Sequence, residues 1–356
     1  MSSKFKSVKL AAALLLVSPL LTACDPPMPP EALAALAEAS FTCVEGDVPS
    51  YFSEEVADAA PFLAENLALN CPGMSYSLSD ASMAQLVASS NIQAGPGGSA
   101  YATVPYAVES GVFVITSSAG ASAIFSPATI QGILDGSITS WDAPQIVEDN
   151  AGIAPLEGPL TLVNLAQKDA IAALEVWYQN YAGKALSHSL DSRASVTVAD
   201  YENLPEGSIA FMPGAVFTAL SNTAMVTPMA ASLLVDVEKF PFGATPDMMA
   251  IQTAASQWKT TKTDTSVTVS LDFAAKPVPP AGFDEAPAPY QIVYPVNLSL
   301  FGTDNLGARA TARYLLRQDS QGSLTLVASL PVSVRAEALA FVSKGLPTPS
   351  AAPEQG

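Results

Sequence analysis

The sequence predicts an α/β protein whose sheets are mixed, mostly parallel and flanked by helices. Between residues 41 and 89 a strand, a helix, a strand and a second helix follow one another. This alternation is typical of parallel sheets. A chain of 356 residues has room for about two domains, and its many aliphatic side chains can fill two cores.

The predicted strands in this part are residues 41–44 and 74–78, with helices at about 53–69 and 82–89. Ligands of α/β sheets lie at the carboxyl ends of strands, beside helix N-termini. Four residues are therefore predicted to line a ligand site: Gly46, Asp47, Ser79 and Ser82. The alternative for the two serines is that they cap a helix and bind nothing.

The first 23 residues have the pattern of a secretory signal peptide. Three lysines, at positions 4, 6 and 9, precede an apolar run over residues 10–21 that is short for a membrane span. The run ends in Leu-Thr-Ala-Cys, a bacterial lipobox. This predicts cleavage before Cys24 and a lipid on its thiol, which would hold the protein on the extracytoplasmic face of the cell membrane. An ordinary signal peptide or a membrane anchor is the alternative.

Two further cysteines remain after Cys24, and both would lie in an oxidising compartment. We predict a disulfide between Cys43 and Cys71; two buried thiols are the alternative. His188 is the chain's one histidine, and no P-loop, paired-histidine metal motif or Gly-x-Ser-x-Gly is present. The sequence therefore predicts no catalytic residues, no cofactor and no metal site. A hydrolase that relies on His188 is a weaker alternative.

The formal net charge of −18 excludes nucleic acid as an expected partner. Removal of the three lysines with the signal peptide would make the chain still more acidic. An anionic ligand stays open, because backbone N–H groups and helix N-termini can hold anions without basic side chains.

The stretch from residue 125 to 165 has strong local signals. Ser126-Pro127 predicts a helix start, Gly136 its end, and Trp141 lies in the turn that follows. A second short helix begins near Pro144, and residues 160–165 predict a buried strand.

The order of these residues, SPATIQGILDGSITSWDAPQIVEDNAGIAPLEGPLTLV, resembles the middle segment of the phosphate-binding proteins of ABC transporters. LPEGSIAFMPGAV at 204–216 resembles a Gly-Ser/Ala-Ile-Gly-Tyr turn of that family. YPVNLSLFGTDNLGARATARYLLR and ASLPVSVRAEALAFVSKGLP resemble its closing strand and last two helices. The resemblance runs over most of residues 39–345.

The resemblance implies a periplasmic-binding-protein-like fold with two lobes joined by two crossings. Lobe I would comprise residues 39–116 and 290–345, and lobe II residues 117–289. Residues 24–38 would be the lipidated cysteine with a proline-rich spacer, and residues 346–356 a disordered tail.

The chain departs from the family where the family grips phosphate. The family's Arg, Asp, Ser, Gly and Thr fall on Leu165, Gln167, Asp169, Ala170 and Ile171, so Lys168 is the remaining positive charge there. The family's Thr in the first loop falls on Asp47, and a further Asp falls near Gly97. Charge-assisted hydrogen bonds are worth ~1.5–3 kcal/mol each, so the loss of several would weaken phosphate binding severely.

Two functions are therefore expected. The first is an extracytoplasmic solute-binding lipoprotein that holds a small anion, phosphate first, in an interlobe cleft and delivers it to an ABC permease. The alternative is a cell-surface scaffold or interaction protein that kept the fold and lost phosphate binding, in which acids at the cleft would also suit polar or cationic ligands.

Three arginines recur at four-residue spacing in the predicted helix of residues 306–317: Arg309, Arg313 and Arg317. This spacing places them on one face of the helix. The expectation is a solvated face, with contact to lipid head groups as the alternative.

Overall fold

The computed structural model describes the chain at residues 29, 32, 35, 43–91, 95–116, 122–151, 156–186, 190, 200, 203–223, 229–235, 238–240 and 242–346. The predicted signal peptide, Cys24, His188 and the predicted tail after residue 346 lie outside these residues. Within them, no helix has the length and apolar character that crossing a membrane requires.

Strand β4, Ala102–Ile115, forms the centre of the fold, and every one of its residues is buried. Its amino-terminal half pairs with β12, Val293–Leu300, and its carboxyl-terminal half pairs with β7, Ser208–Pro213. One strand therefore belongs to both halves of the sheet and connects the two lobes.

The first lobe contains a mixed sheet at the amino-terminal half of β4. Its strand order is β2-β1-β3-β12-β4, with β13, Ala328–Ser329, also on β4. Strand β1, Gly46–Phe52, runs parallel to β2, Met74–Leu78, and to β3, Leu86–Ser89. Strand β12 runs antiparallel to both β3 and β4.

The second lobe continues the sheet beyond β4. Strand β7 is antiparallel to β4 and parallel to β6, Thr161–Asn164, and β8, Met229–Ala230, also pairs with β4. Two small sheets lie beside the main one. Their strands are β5, Ile124–Phe125, with β9, Ser232–Leu233, and β10, Trp258–Lys262, with β11, Val267–Leu271.

Helices cover the sheet. In chain order the described helices are α1 Ala60–Asn70, α2 Pro127–Leu134, α3 Pro144–Asp149, α4 Lys168–Ala182, α5 Gly214–Thr223, α6 Met248–Ala255, α7 Leu306–Leu315, α8 Gln318–Gln321 and α9 Val332–Val342. Of these, α4, α5, α6 and α9 contact β4. A short 3-10 helix spans Ala81–Met83.

The stretch around Trp141 folds as its local signals predict. The Ser126 hydroxyl accepts a hydrogen bond from the Thr129 N–H and caps α2, which is confirmed as a helix that begins at Pro127. The Trp141 indole is buried and donates to the Gly207 carbonyl at 2.8 Å. This contact attaches the turn to the start of β7.

Three element predictions in the first half are wrong. The first described strand lies at Gly46–Phe52, and residues 43–44, the described part of the predicted strand, are not in a strand. The strand includes Pro49, which has no N–H to donate to the sheet. The predicted helix at 82–89 is a 3-10 turn followed by β3. The predicted pair of strands at 104–108 and 112–116 is the single strand β4, because two different partner strands pair with its two halves.

The predicted α/β class with two lobes and a mixed sheet is confirmed, while the lobe boundaries stay a prediction. The β10–β11 hairpin, although placed in lobe II by that prediction, contacts α9, and Lys262 forms an ion pair with Glu337 of that helix. Thr103 of β4 also donates its N–H to the Thr265 carbonyl at the tip of the hairpin.

The expected solvated arginine face on α7 is wrong for two of its three members. Arg309 and Arg313 are 5% and 4% exposed. Arg309 donates from Nε and Nη2 to the two carboxylate oxygens of Asp304, at 2.6 and 2.9 Å, and its guanidinium lies 5.4 Å from the Tyr101 ring centroid. These arginines serve the packing of the first lobe.

The predicted disulfide between Cys43 and Cys71 is confirmed. It joins the segment before β1 to the residue after α1, and the two cysteines are 28 positions apart. A covalent loop of this size removes conformational freedom from the unfolded chain.

We expect the Cys43→Ser/Cys71→Ser double variant to be less stable by about 3–4 kcal/mol, the chain-entropy value for a loop of this length. Urea unfolding with and without reductant measures the difference. The reductant should lower the wild-type midpoint and leave that of the double variant unchanged. Equal midpoints for oxidised and reduced wild type would contradict a stabilising role.

Candidate functional site

Two adjoining cavities form a cleft between the lobes. The first, about 300 Å³, is bounded by the loop after β1 on one side and by the start of α5 on the other. The second, about 440 Å³, lies between α4 and the strands β11 and β12. Ser90 and Tyr294 line both cavities, so we treat them as one continuous cleft.

Glu109 is the most deeply buried acid of the cleft. It lies on β4 where the strand passes from one lobe to the other, and it is 2% exposed. Its carboxylate accepts hydrogen bonds from the N–H of Ser110 at 2.7 Å and from that of Ala215 at 3.2 Å. Ala215 is in the first turn of α5, where unpaired N–H groups and the helix dipole favour negative charge.

Gly214 allows this close approach of α5 to β4. A β-carbon at this position would lie 2.3 Å from Ser110 Oγ, closer than side chains approach, and 3.0 Å from Glu109 Oε1. A larger residue would therefore displace the Ser110 hydroxyl and crowd the Glu109 carboxyl group.

Burial raises the pKa of Glu109 to about 8, and repulsion from Glu55 adds to the rise. The N–H groups of Ser110, Ala215 and Gly214 act in the opposite direction but do not offset the loss of water. At pH 7 this side chain is therefore mainly a neutral acid that can donate a hydrogen bond.

Two more partly or fully buried acids line the cleft, Glu55 in the first cavity and Asp169 in the second. Glu55, 9% exposed, accepts a hydrogen bond from the Ser90 N–H at 2.9 Å. Asp169, in the first turn of α4, has a raised pKa because it is partly buried and because Glu55 repels it, even though Lys168 acts to lower it. Tyr294 lies within electrostatic range of all three acids, and burial followed by their repulsion holds the pKa of its phenol well above the usual value.

The electrostatic character of the cleft is negative. Exposed Glu54 also lines the first cavity, and no lysine, arginine or histidine is among the described residues that line either cavity. The described Asp, Glu, His and Cys side chains form no group of three that could hold a metal ion.

Two of the predicted ligand residues lie away from the cleft. Gly46 and Asp47 begin β1, whereas the cleft residues Glu54 and Glu55 follow its carboxyl end, about 20 Å along a strand of this length. The Asp47 carboxylate accepts hydrogen bonds from the hydroxyls of Ser75 and Ser77 on β2. The cause is the error in the first strand. A strand at 41–44 would have its carboxyl end just before Gly46, whereas β1 has its amino end at Gly46.

The other three predicted residues are also absent from the lining of the two cavities. Ser79 directly follows β2 and donates its N–H to the Ser50 carbonyl, and Ser82 is exposed in the 3-10 turn; neither lines the two cavities. Lys168 is exposed at the first position of α4, between the cleft residues Gln167 and Asp169. A ligand role for these residues stays a prediction.

The alignment of the phosphate-gripping segment agrees with the position of the cleft. Gln167 and Asp169, which replace the family's Asp and Ser, line the first and second cavities. Leu165, Ala170 and Ile171 are buried in the core beside them.

Sequence reasoning missed Glu55, Glu109 and Tyr294. One signal was available: Glu109 is the single charged residue in the 14-residue run ATVPYAVESGVFVI. The Glu-Ser-Gly sequence in this run is typical of a turn, so a turn between two strands was predicted there and Glu109 was not considered as a buried residue. Glu55 was predicted to lie in the first turn of a helix, and nothing local distinguishes it from Glu54.

Several solved structures are similar to this fold. A high affinity periplasmic phosphate-binding protein (PfluDING), solved with phosphate bound, matches 83% of this chain and 93% of its own, with a TM-score of 0.50 and 13% identity. A putative phosphate ABC transporter substrate-binding protein from Clostridium perfringens matches 80% of this chain and 100% of its own, with a TM-score of 0.45 and 11% identity. An ABC-type phosphate transport receptor from Vibrio cholerae matches 78% of this chain and 96% of its own, with a TM-score of 0.43 and 12% identity.

No protein-family model matches the sequence, and the search of curated proteins found no match. At these identities the likeness shows the fold alone. The chain therefore has the fold of the phosphate-binding proteins, as the resemblance implied, and its cleft must be interpreted from its own residues.

We expect Glu109 to make stability depend on pH. Its folded-state pKa, about 8, is above its ordinary value of 4.5, so the folded state holds the proton more tightly than the unfolded state does. This contribution to stability is complete below pH 4.5 and is lost as the pH rises through 8. Relative to Glu109→Gln, the wild-type free energy of unfolding should fall by up to about 1.4 kcal/mol per pH unit in that window.

Urea unfolding of both proteins from pH 4 to 9 tests this expectation. Glu65→Gln, which removes an exposed acid on α1, is the matched control and should follow the wild-type curve. Parallel curves for wild type and Glu109→Gln would show that Glu109 titrates normally.

Proposed function

We propose that this protein is a non-catalytic, extracytoplasmic solute-binding lipoprotein whose cleft holds a small cationic or neutral polar solute in preference to phosphate. The observation that carries the proposal is the line of carboxyl groups Glu55, Glu109 and Asp169 in a cleft whose described lining has no basic side chain. An ABC permease in the membrane would receive the solute.

The architecture supports solute binding. The cleft is lined by the first lobe at Glu54 and Glu55, by the second at Gln167 and Ala215, and by the connecting strands at Glu109 and Tyr294. Movement of one lobe against the other about such strands would open and close the cleft around a ligand. The similar structure with a TM-score of 0.50 is that of a periplasmic phosphate-binding protein bound with phosphate.

Charge argues against phosphate as the solute here. Two like unit charges 4 Å apart repel by about 4 kcal/mol at an effective dielectric constant of 20. A phosphate dianion would meet Glu54 and Glu55 in the first cavity and Asp169 in the second, even while Glu109 keeps its proton. The N–H of Ala215, which could have held an oxyanion, already donates to Glu109. A solute with ammonium, guanidinium or hydroxyl donors would instead satisfy the acids.

Phosphate is the second candidate, as the family resemblance implies. One observation favours it: the N-terminus of α4 lies at the cleft, since its N-cap residue Gln167 lines the first cavity and Asp169 in its first turn lines the second. Neutral Glu109 could in addition donate to a phosphate oxygen.

A scaffold that binds no solute is the third candidate, and the loss of the family's Arg-Asp-Ser-Gly-Thr set favours it.

Isothermal calorimetry distinguishes these candidates. We expect no heat with millimolar phosphate at pH 7 and a heat signal with at least one member of a panel of amines, guanidines and polyols. A ligand at 100 times its dissociation constant should add about 2.7 kcal/mol of stability, so thermal unfolding gives a parallel measurement. Tight phosphate binding would refute the proposed selectivity, and silence across the whole panel would favour the scaffold.

The proposed anchor is tested by fractionation of bacterial cells. Cys24→Ser should move the protein from the membrane fraction to the soluble extracytoplasmic fraction and abolish incorporation of labelled palmitate, because the thiol is the acceptor. Ser40→Ala is the control and should remain membrane-bound. A Cys24→Ser chain that still sediments with membranes would contradict lipid anchoring.

A further inference from the structure

We infer that the solute is an amphipathic organic cation, with its ammonium or guanidinium group among the acids of the first cavity and its apolar body in the second. This inference rests on the proposed function and deepens it by naming the chemical class of the solute. Three features of the cleft carry it: its buried acids, an unpaired hydroxyl at its centre and an apolar wall.

The acids form a place for one positive charge. Glu55 and Glu109 line the first cavity with 9% and 2% of their surfaces exposed, and Asp169 lines the second, where the two cavities meet at Tyr294. Repulsion between Glu55 and Glu109, and between Glu55 and Asp169, makes it unfavourable for all three acids to be ionised together. A cation between them would remove that cost.

The second, independent feature is the hydroxyl of Tyr294. This side chain is 5% exposed, lines both cavities, and its hydroxyl makes no hydrogen bond to any residue that the structure describes. Buried hydroxyls in proteins nearly always have a partner. Since Tyr294 lines the first cavity together with Glu55 and Glu109 and the second together with Asp169, its hydroxyl is a candidate partner for a ligand in the cleft.

The third feature is the wall of the second cavity. Apolar atoms predominate there, from Ala173 and Val176 of α4, Trp258 of β10, Val269 and Leu271 of β11, and Val293 of β12. Val176 is half exposed although it faces this cavity, and Trp258 presents an aromatic surface. Such a wall would bind a hydrocarbon or aromatic group and would give nothing to a small inorganic ion.

The two cavities together favour one ligand that spans both. They meet at Ser90 and Tyr294, and their volumes of about 300 and 440 Å³ are in the range of small-molecule sites. A charged head alone would leave the larger cavity empty, and an apolar molecule alone would leave the acids unpaired.

Calorimetry of the purified chain with three probes tests the inference: 2-phenylethylammonium, ethylammonium and 2-phenylethanol. The first carries head and body, the second lacks the body, and the third lacks the charge. We expect 2-phenylethylammonium to bind about tenfold or more tightly than either of the others, because only it satisfies both cavities.

Two variants assign the parts of the ligand to the two cavities. Glu55→Gln keeps the size and the acceptor for Ser90 and should weaken both ammonium probes while leaving 2-phenylethanol unchanged. Ala173→Phe fills the second cavity and should weaken 2-phenylethylammonium while leaving ethylammonium unchanged. Glu65→Gln on α1 is the matched acid control, and thermal unfolding of each variant establishes that it is folded.

Each contrary result has a distinct meaning. Equal affinity for the two ammonium probes, or for 2-phenylethanol and its ammonium analogue, overturns the inference but leaves a solute-binding protein with an acidic cleft. Absence of heat with all three probes, or displacement of 2-phenylethylammonium by equimolar calcium, also overturns it. Phosphate binding in the same cleft would overturn the proposed function itself.

Discussion

The continuity of β4 is the constraint on which the rest of the structure depends. Its amino-terminal half pairs with β12 and its carboxyl-terminal half with β7, so the strand cannot bend into a turn at Glu109 without leaving backbone groups unpaired. The burial of Glu109 is thereby imposed by the sheet. An isolated charge in such a place is unfavourable. Backbone N–H groups of Ser110 and Ala215 donate to the Glu109 carboxyl group, and its raised pKa keeps it mainly protonated at pH 7.

This constraint also determines what the cleft can accept. In a fold shared with phosphate-binding proteins, the start of α5 would be a natural place for an oxyanion, but here a carboxyl group of the same chain receives its N–H. Glu55 and Asp169 add negative charge around Tyr294. The negative character of this cleft therefore comes from a few side chains, and the fold alone does not determine what the cleft can bind.

Much of the fold could be predicted from local signals. Strand β2 at Met74–Leu78, the Ser126-capped helix and the Cys43–Cys71 disulfide all follow from short-range patterns that the structure confirms. The predictions failed where partners distant in sequence decide. The first strand was predicted at 41–44, but β2 and β3 pair with Gly46–Phe52. Residues 109–111 were predicted to separate two strands, but they continue one strand.

The sequence by itself determined the α/β class and the acidic character of the chain, because composition and local patterns are sufficient for these. Only the tertiary structure decided which acids matter. Glu55, Glu109 and Asp169 come from a loop, a central strand and a helix start far apart along the chain, and they become a site when β4 and β12 bring the lobes together. Burial and electrostatic coupling depend on distances in space, which no local pattern contains.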